Sequence, residues 1–384
     1  MGKPPPTLKI ALVFDDSLDK PDGVQQYLLS LGGWLTAAGH EVHYLVGQTQ
    51  RTDIQGLHSL SHNIGVSFNG NQLSIPLPTS RRKLRDLLLQ ERFDVLHVQL
   101  PYSPWLAHRI ILAAPSGTLI YGTFHIVAYS RLVEGATRCL ALWTRRSLKR
   151  YHRIVSVSSA AANYALKTYG IKTDILPIVF DYPRFNHALP LLPKTPHTTR
   201  ILFLGRLVER KGCSDLLAAV RVLHSSGQSD FEVVVCGRGP LKAELASYAK
   251  RHELPVTFTG FVSEADKPGY FASADIAVFP SRGGESFGIV LIEAMASGSS
   301  AVIAASNSGY TSVMKDRPEL LVPVAKPNVL ADRLKHLLVD AKARRAAAKW
   351  GEDYSREFDV AVVGAKLLAE YQTALADLRN TDER

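Results

Sequence analysis

The chain has 384 residues, 46% of them hydrophobic and 21% charged, with a formal net charge of +10, enough material to bury two cores of ordinary domain size. No apolar run approaches the roughly 18 residues of a transmembrane helix, and Met1-Gly2-Lys3-Pro4-Pro5-Pro6 lacks the apolar core of a signal peptide, so a cytoplasmic location is expected. Cys139, Cys213 and Cys236 have no metal-ligand spacing, and no two aspartates are separated by a single residue, which argues against a zinc site, a disulfide framework or an Asp-x-Asp metal clamp.

Short apolar runs alternate with amphipathic stretches along the chain, the pattern of parallel strands joined by crossover helices in an α/β fold. Strands are predicted at residues 9–14, 41–46, 94–99, 118–123, 153–157 and 174–178. After the first comes Pro21-Asp22-Gly23-Val24-Gln25, where Gly23 opens a helix and lets backbone approach a ligand; alone, such a glycine reads equally as a turn. Ser80-Arg81-Arg82-Lys83-Leu84-Arg85 opens an amphipathic helix, and residues 131–151 form a second basic stretch that interleaves Leu132, Leu140, Leu142 and Trp143 with Arg138, Arg145, Arg146, Lys149 and Arg150. Residues 1–180 hold 19 Lys and Arg against 11 Asp and Glu, so +8 of the +10 lies there. Basic faces beside apolar ones suit an anionic membrane surface, although a solvated face would look the same; no nucleic-acid-binding motif accompanies the charge. His125 follows the strand at 118–123, where a ligand contact and a buried structural histidine are both open readings.

A proline-rich stretch at 181–199 reads as a linker. Strands are then predicted at 200–204, 232–236, 256–259, 276–279, 301–304 and 320–323, again alternating with helices, and a last amphipathic stretch covers 350–378. Ligands of open parallel sheets bind beyond the carboxyl ends of the strands. Those loops hold Gly205-Arg206 with Lys211, Gly237-Arg238-Gly239, Gly260-Phe261-Val262, and the segment from Pro280 to Ala296. In that last segment Ser286-Phe287-Gly288-Ile289-Val290 should start a helix near Ser286. Its unpaired amides and dipole would favour a diphosphate, with Glu285 just outside and Glu293 about two turns along the helix. A surface helix with two solvated glutamates is the competing reading.

Glu285 and Glu293, with seven residues between them, match the signature of the retaining nucleotide-sugar glycosyltransferases of the GT-B fold, family 4, and Arg206 with Lys211 matches their GR-x4-K pattern. The chain resembles this family over nearly its whole length. Glu285 to Met295, Gly23-Val24-Gln25 and Phe68-Asn69-Gly70 followed by the basic helix are most similar to the phosphatidyl-myo-inositol mannosyltransferases. The resemblance implies two Rossmann-like domains facing across a cleft that closes to exclude water, residues 1–180 and 200–350, with a C-terminal helix at about 351–378 crossing back to the first. It implies that Arg206 and Lys211 bind the donor diphosphate and neutralise the leaving group, that Glu293 holds the ribose, and that Glu285 orients the sugar and supports its cationic centre. His125 would contact the transferred sugar. Phe261 and Val262 would lie by the base, Gly237 beside them, and Gln25 and Asn69 would face the acceptor. Arg81, Arg82, Lys83 and Arg85 would meet the membrane. Two departures bear on the acceptor: Asp22 replaces the first glycine of the usual pair, and Phe68 lacks a phenol hydroxyl.

The expected activity is transfer of a hexose, foremost mannose from GDP-mannose, to a membrane lipid such as phosphatidylinositol, with retention of anomeric configuration, at the inner face of the plasma membrane. A UDP-glucose- or UDP-galactose-dependent diacylglycerol glycosyltransferase is the close rival. A nucleotide-sugar epimerase of similar fold, or a noncatalytic sugar-nucleotide-binding protein, explains the basic first half and the full set of site residues less well. No protein-held metal or other cofactor is expected; Mg2+ carried by the donor diphosphate is compatible with this.

Overall fold

In the computed structural model, which describes residues 6–19, 23–68, 71–129 and 131–382, the chain divides into two compact units, 1–180 with 360–384 and 181–359. The first is built on β1 (Lys9–Phe14), whose last five residues are all buried, as expected of a strand covered on both faces. The chain continues through α1 (Gly23–Ala37), β2 (Glu41–Val46), the short β3 (Leu57–Ser59), an antiparallel pair β4 (Asn63–Phe68) and β5 (Asn71–Pro76), and α2 (Arg81–Glu91). It then alternates through β6 (Val95–Gln99), α3 (Leu106–Ala113), β7 (Leu119–Phe124), α4 (Arg131–Leu148), β8 (Arg153–Ser156), α5 (Ser159–Tyr169) and β9 (Asp174–Ile175). The main sheet is parallel throughout in the order β3-β2-β1-β6-β7-β8-β9. The order reverses at β1, which pairs Lys9 with Glu41 on one side and Ile10 with Val95 on the other. Helices α2, α3, α4 and α5 pack each on the next, and right-handed crossovers place them along one face of the sheet.

The second unit begins inside the stretch expected to be a linker. Tyr182–Asn186 forms helix α6, capped by Asp181 accepting from the Arg184 amide, and Phe185 is buried. Further on, the buried Arg200 guanidinium donates to the Pro193 carbonyl at 2.6 Å and to Glu232 at 2.7 Å. Prolines do exclude much regular structure here, but these contacts fasten the segment to its domain. The unit continues as β10 (Thr199–Leu204), α7 (Cys213–Ser225), β11 (Phe231–Cys236), α8 (Lys242–Arg251), β12 (Val256–Gly260), α9 (Lys267–Ala272), β13 (Ile276–Phe279), α10 (Ile289–Ala296), β14 (Ala301–Ala305), α11 (Ser308–Val313), β15 (Leu321–Val322), α12 (Pro327–Val339) and α13 (Ala341–Ser355). Its sheet is also parallel, in the order β12-β11-β10-β13-β14-β15. The order reverses between β10 and β13, so the crevice for a ligand opens beyond their carboxyl ends.

The return to the first unit starts later than expected. Residues 351–359 stay with the second unit, where Trp350 stacks on Tyr354 and Phe358 meets Phe287 edge-on. The returning helix is α14 (Val360–Asp382), whose first amide donates to the Phe180 carbonyl at 2.9 Å and which packs on α1 and β7. Among the described residues no helix is long and apolar enough to cross a membrane.

Candidate active site

At the switch point of the second sheet, the loop after β13 folds back on itself before α10 begins. Gly284 and Gly288 have φ of 72° and 103°, a left-handed backbone that costs little only for glycine. A Cβ on Gly288 would sit 2.5 Å from the ring of the buried Tyr310. These turns delay the helix: it starts at Ile289, three residues past Ser286, with Ser286, Phe287 and Gly288 in the approach. Glu293 therefore lies in the second turn.

The Glu285 side chain, 12% exposed, receives three donors on Oε1: Lys211 Nζ at 2.8 Å, Arg210 at 3.0 Å and Ser281 Oγ at 2.8 Å. Burial by itself would raise its carboxyl; Lys211, Arg210 and Ser281 outweigh that and hold it below the ordinary value. Burial pulls the Lys211 ammonium below its usual value despite Glu285, and Arg206 lies close enough to push in the same direction. Two cations thus share one carboxylate four residues before α10 begins, with Arg206 near enough to Lys211 to act on it, a concentration of positive charge suited to a diphosphate. Arg282, in the same loop, is held by Asp215 through two 2.8 Å bonds, which fixes the loop to α7.

Glu293 is separately engaged. It is 4% exposed, and Lys267 Nζ bridges it at 3.0 Å to Glu264 at 2.7 Å. Burial lowers the Lys267 ammonium, but the two carboxylates more than restore it, so it lies above its usual value. The two glutamates of the motif therefore have different cations and do not act as a pair. Phe261 is exposed and the Arg238 guanidinium lies 4.1 Å from its ring centre; Val262 follows it. Gly237 lets β11 approach β10 closely, since a Cβ there would meet the Gly205 carbonyl at 1.9 Å.

In the first unit, His125 follows β7, is buried, and shares a 2.6 Å hydrogen bond from Nε2 to Gln99 Oε1 while the Tyr27 ring stands edge-on at 5.2 Å. Burial pushes it down to about 3, so the imidazole is neutral at ordinary pH. Gly23 opens α1, and the buried Gln25 donates from Nε2 to the Ser17 carbonyl. Asp22, Asn69 and Gly70 lie outside the described residues. Arg81, Arg82, Lys83 and Arg85 are exposed on α2, while Leu84 and Leu88 go into the core. One constellation with metal-ligand spacing occurs among the described residues, Glu41, His43 and Glu91, but the Lys9 ammonium already lies 2.7 Å from both carboxylates.

Sequence reasoning missed Arg210, Ser281, Lys267, Glu264 and Gln99. Arg210 stands next to Lys211 and was within reach of the motif; the others depend on long-range packing that no local pattern encodes.

A model described as "Glycosyl transferases group 1" matches residues 192–353, and "Glycosyltransferase Family 4" matches residues 21–179. The chain is 32% identical to a phosphatidyl-myo-inositol mannosyltransferase of Mycolicibacterium smegmatis over 95% of its own length and 94% of that protein's. In fold it is similar to a glycosyltransferase from Rickettsia africae, with a TM-score of 0.72 at 17% identity over 96% of this chain and 99% of that one. It is also similar to the sucrose-phosphate synthase of Thermosynechococcus elongatus, with a TM-score of 0.70 at 20% identity over 96% and 100%. With the motif residues gathered at the sheet's switch point, these likenesses show that the chain is a glycosyltransferase of the GT-B fold and belongs to family 4.

Proposed function

We propose that this glycosyltransferase moves mannose from GDP-mannose to phosphatidylinositol with retention of anomeric configuration. The observation that carries the reading is the pairing of Arg210 and Lys211 with Glu285 after β13, with Arg206 close to Lys211. The end-to-end identity with a phosphatidyl-myo-inositol mannosyltransferase supports the substrates.

In this reading the donor diphosphate is met by Arg206 and Lys211 and by the amides of Ser286, Phe287, Gly288, Ile289 and Val290. Cations held in place before reaction stabilise the charge that develops on the departing GDP without reorganising. Lys211 keeps Glu285 charged and oriented, so the carboxylate can accept from sugar hydroxyls and support the cationic anomeric centre. Glu293, steadied by Lys267, takes the ribose, and the base lies on Phe261 near Val262 and Gly237. Neutral His125 offers a hydrogen-bonding imidazole to the transferred sugar. Gln25 and Asn69 face the inositol phosphate, and Arg81, Arg82, Lys83 and Arg85 hold the enzyme peripherally on an anionic membrane at the cytoplasmic side. Mg2+ is needed only as a companion of the donor.

Incubation with GDP-mannose, UDP-glucose and UDP-galactose, each with phosphatidylinositol or diacylglycerol vesicles, tests this. A mannosylated phosphatidylinositol is expected from GDP-mannose. A product only from a UDP-hexose and diacylglycerol would replace the reading, and nucleotide release without lipid product would reduce it to hydrolysis.

A further inference from the structure

Helix α4 is amphipathic in the wrong direction for a helix that only covers a sheet. Its buried face carries hydroxyls: Thr137, Thr144 and Ser147 are at most 1% exposed. They find partners in Tyr164 Oη at 2.5 Å, the Leu140 carbonyl at 3.0 Å and His108 Nδ1 at 2.8 Å respectively. Two large apolar side chains point outward, Leu142 at 76% exposed and Trp143 at 67%, while Val133, Leu140 and Leu148 are half-buried. Burying such side chains is the main source of stability, so a helix that shows them to water while hiding hydroxyls is shaped for something other than its own domain.

The charge around them narrows what that is. Arg138, Arg145 and Arg146 are exposed on the same helix, and Lys149 in the turn just after it. Glu134 is the helix's acid and already serves Arg138 and Lys167, both at 2.9 Å. Arg145, Arg146 and Lys149 have no ion-pair partner among the described residues. An open groove of about 420 Å³ runs beside this face between α4 and the end of α5, with Leu142, Arg145 and Lys149 on its wall. Cores of protein–protein interfaces are depleted in charge and in lysine, whereas cations flanking an exposed Trp and Leu fit the boundary of a lipid bilayer. Helix α2 differs in degree: Leu84 and Leu88 are buried and only Leu89 is half-exposed among its charges, so its hold on a membrane is mainly electrostatic. The two helices lie on one face of the sheet with α3 between them.

We infer that α4 is a second membrane contact, seated on a bilayer of anionic phospholipid, with Leu142 and Trp143 entering the boundary between headgroups and acyl chains while Arg145, Arg146 and Lys149 meet lipid phosphates. The choice of partner rests on the lipid acceptor proposed above; the orientation of α4 does not. Two kinds of holding follow, a salt-sensitive one through α2 and a salt-resistant one through α4.

The test uses the full chain with phosphatidylcholine vesicles containing phosphatidylglycerol and brominated acyl chains. Wild-type tryptophan emission should shift to the blue and be quenched, and Trp143→Phe should bind as well but lose most of that quenching. Equal quenching in Trp143→Phe, or none in the wild type, would overturn the proposal. In cosedimentation, Arg145→Glu with Lys149→Glu should weaken binding by at least about tenfold, since each cation near headgroups is worth about fivefold. Leu142→Ser with Trp143→Ser should abolish the binding that survives high salt; survival of that fraction would also overturn it. Calorimetry with GDP-mannose is the separate arm. Its failure in the wild type would remove the proposed donor, while the vesicle results would still decide the role of α4.

Discussion

Glu285 carries the chemistry proposed here, and its surroundings give its replacement an unusual signature. In Glu285→Gln, Arg210 and Lys211 lose the carboxylate that accepts from both. Leaving buried charge uncompensated costs about 3 to 5 kcal/mol, so the melting temperature of the free protein should fall. Added GDP should restore much of it, because a diphosphate supplies the missing negative charge. Transfer should fall by about 10² or more, as for other groups that meet developing charge, with the donor KM unchanged or lower. A raised KM with normal kcat would mean that Glu285 only binds. Asp15, at the end of β1, makes a prediction of the opposite electrostatic kind. It is 5% exposed, accepts from the Ala107 amide at 2.7 Å and from Ser103 Oγ, and burial pushes its carboxyl up to about 6 despite those bonds. Between about pH 4 and 6 the folded protein keeps a proton that the unfolded chain releases, so stability falls as pH rises through that window and levels off above it. Asp15→Asn keeps the acceptor for Ala107 and removes the titration. The urea-derived stability of the variant relative to wild type should rise by roughly 2 kcal/mol from pH 4 to pH 7; a difference independent of pH would refute this. For Glu285 the sign is reversed: its lowered value gives stability that is present above the ordinary glutamate range and lost only as pH falls below it.

Among elements, the parallel strands were the easiest to read and the turns the hardest. Strands β1, β2 and β13 span the residues expected from the sequence, because a strand buried on both faces is an unbroken apolar run bounded by polar loops. Strand β3, with the sequence Leu-His-Ser, has no such run, and it exists because it adds to the edge of β2. The β4–β5 pair is absent from the predicted strands, although Asn69-Gly70 between the two is a strong hairpin signal in the sequence. The late start of α10 was also illegible, because it depends on the left-handed backbone at Gly288 and on Tyr310, which fills the space beside it. Gly288→Ala should therefore cost about 2 kcal/mol or more, from the disfavoured φ and the displaced ring together, and lower the melting transition by several degrees. Gly33 is the control: it lies inside α1 and a Cβ there would meet nothing within 4 Å, so Gly33→Ala should raise stability by about 0.5 to 1 kcal/mol. If both substitutions shifted the melting temperature equally, the packing at Gly288 would not be what places the helix.

At the scale of the whole molecule the two units are unequal in continuity. The second is one uninterrupted segment, 181–359, whereas the first needs α14 from the far end of the chain. That helix presents Val363, Leu367, Tyr371 and Leu375 at four-residue spacing, all 5% exposed or less. Tyr371 Oη lies 2.5 Å from His97 Nδ1, and Glu370 bonds the Tyr121 hydroxyl at 2.5 Å and Arg153 at 3.0 Å. Stripping four large side chains from the core forfeits about 1.5 to 3 kcal/mol each, a sum comparable to the entire stability of a domain. It would also leave His97, fully buried at the centre of the unit, without one of its hydrogen bonds. Residues 1–180 expressed alone should thus lack a cooperative melting transition, and adding 360–384 as a separate peptide or by fusion should restore one. Residues 181–359 should melt cooperatively alone, because every strand of their sheet and the Glu285 cluster come from within the segment. If GDP raises the melting temperature of 181–359 as it does that of the intact chain, the donor determinants reside in that unit. A folded fragment indifferent to GDP would place them elsewhere and with them the role assigned to Arg206 and Lys211.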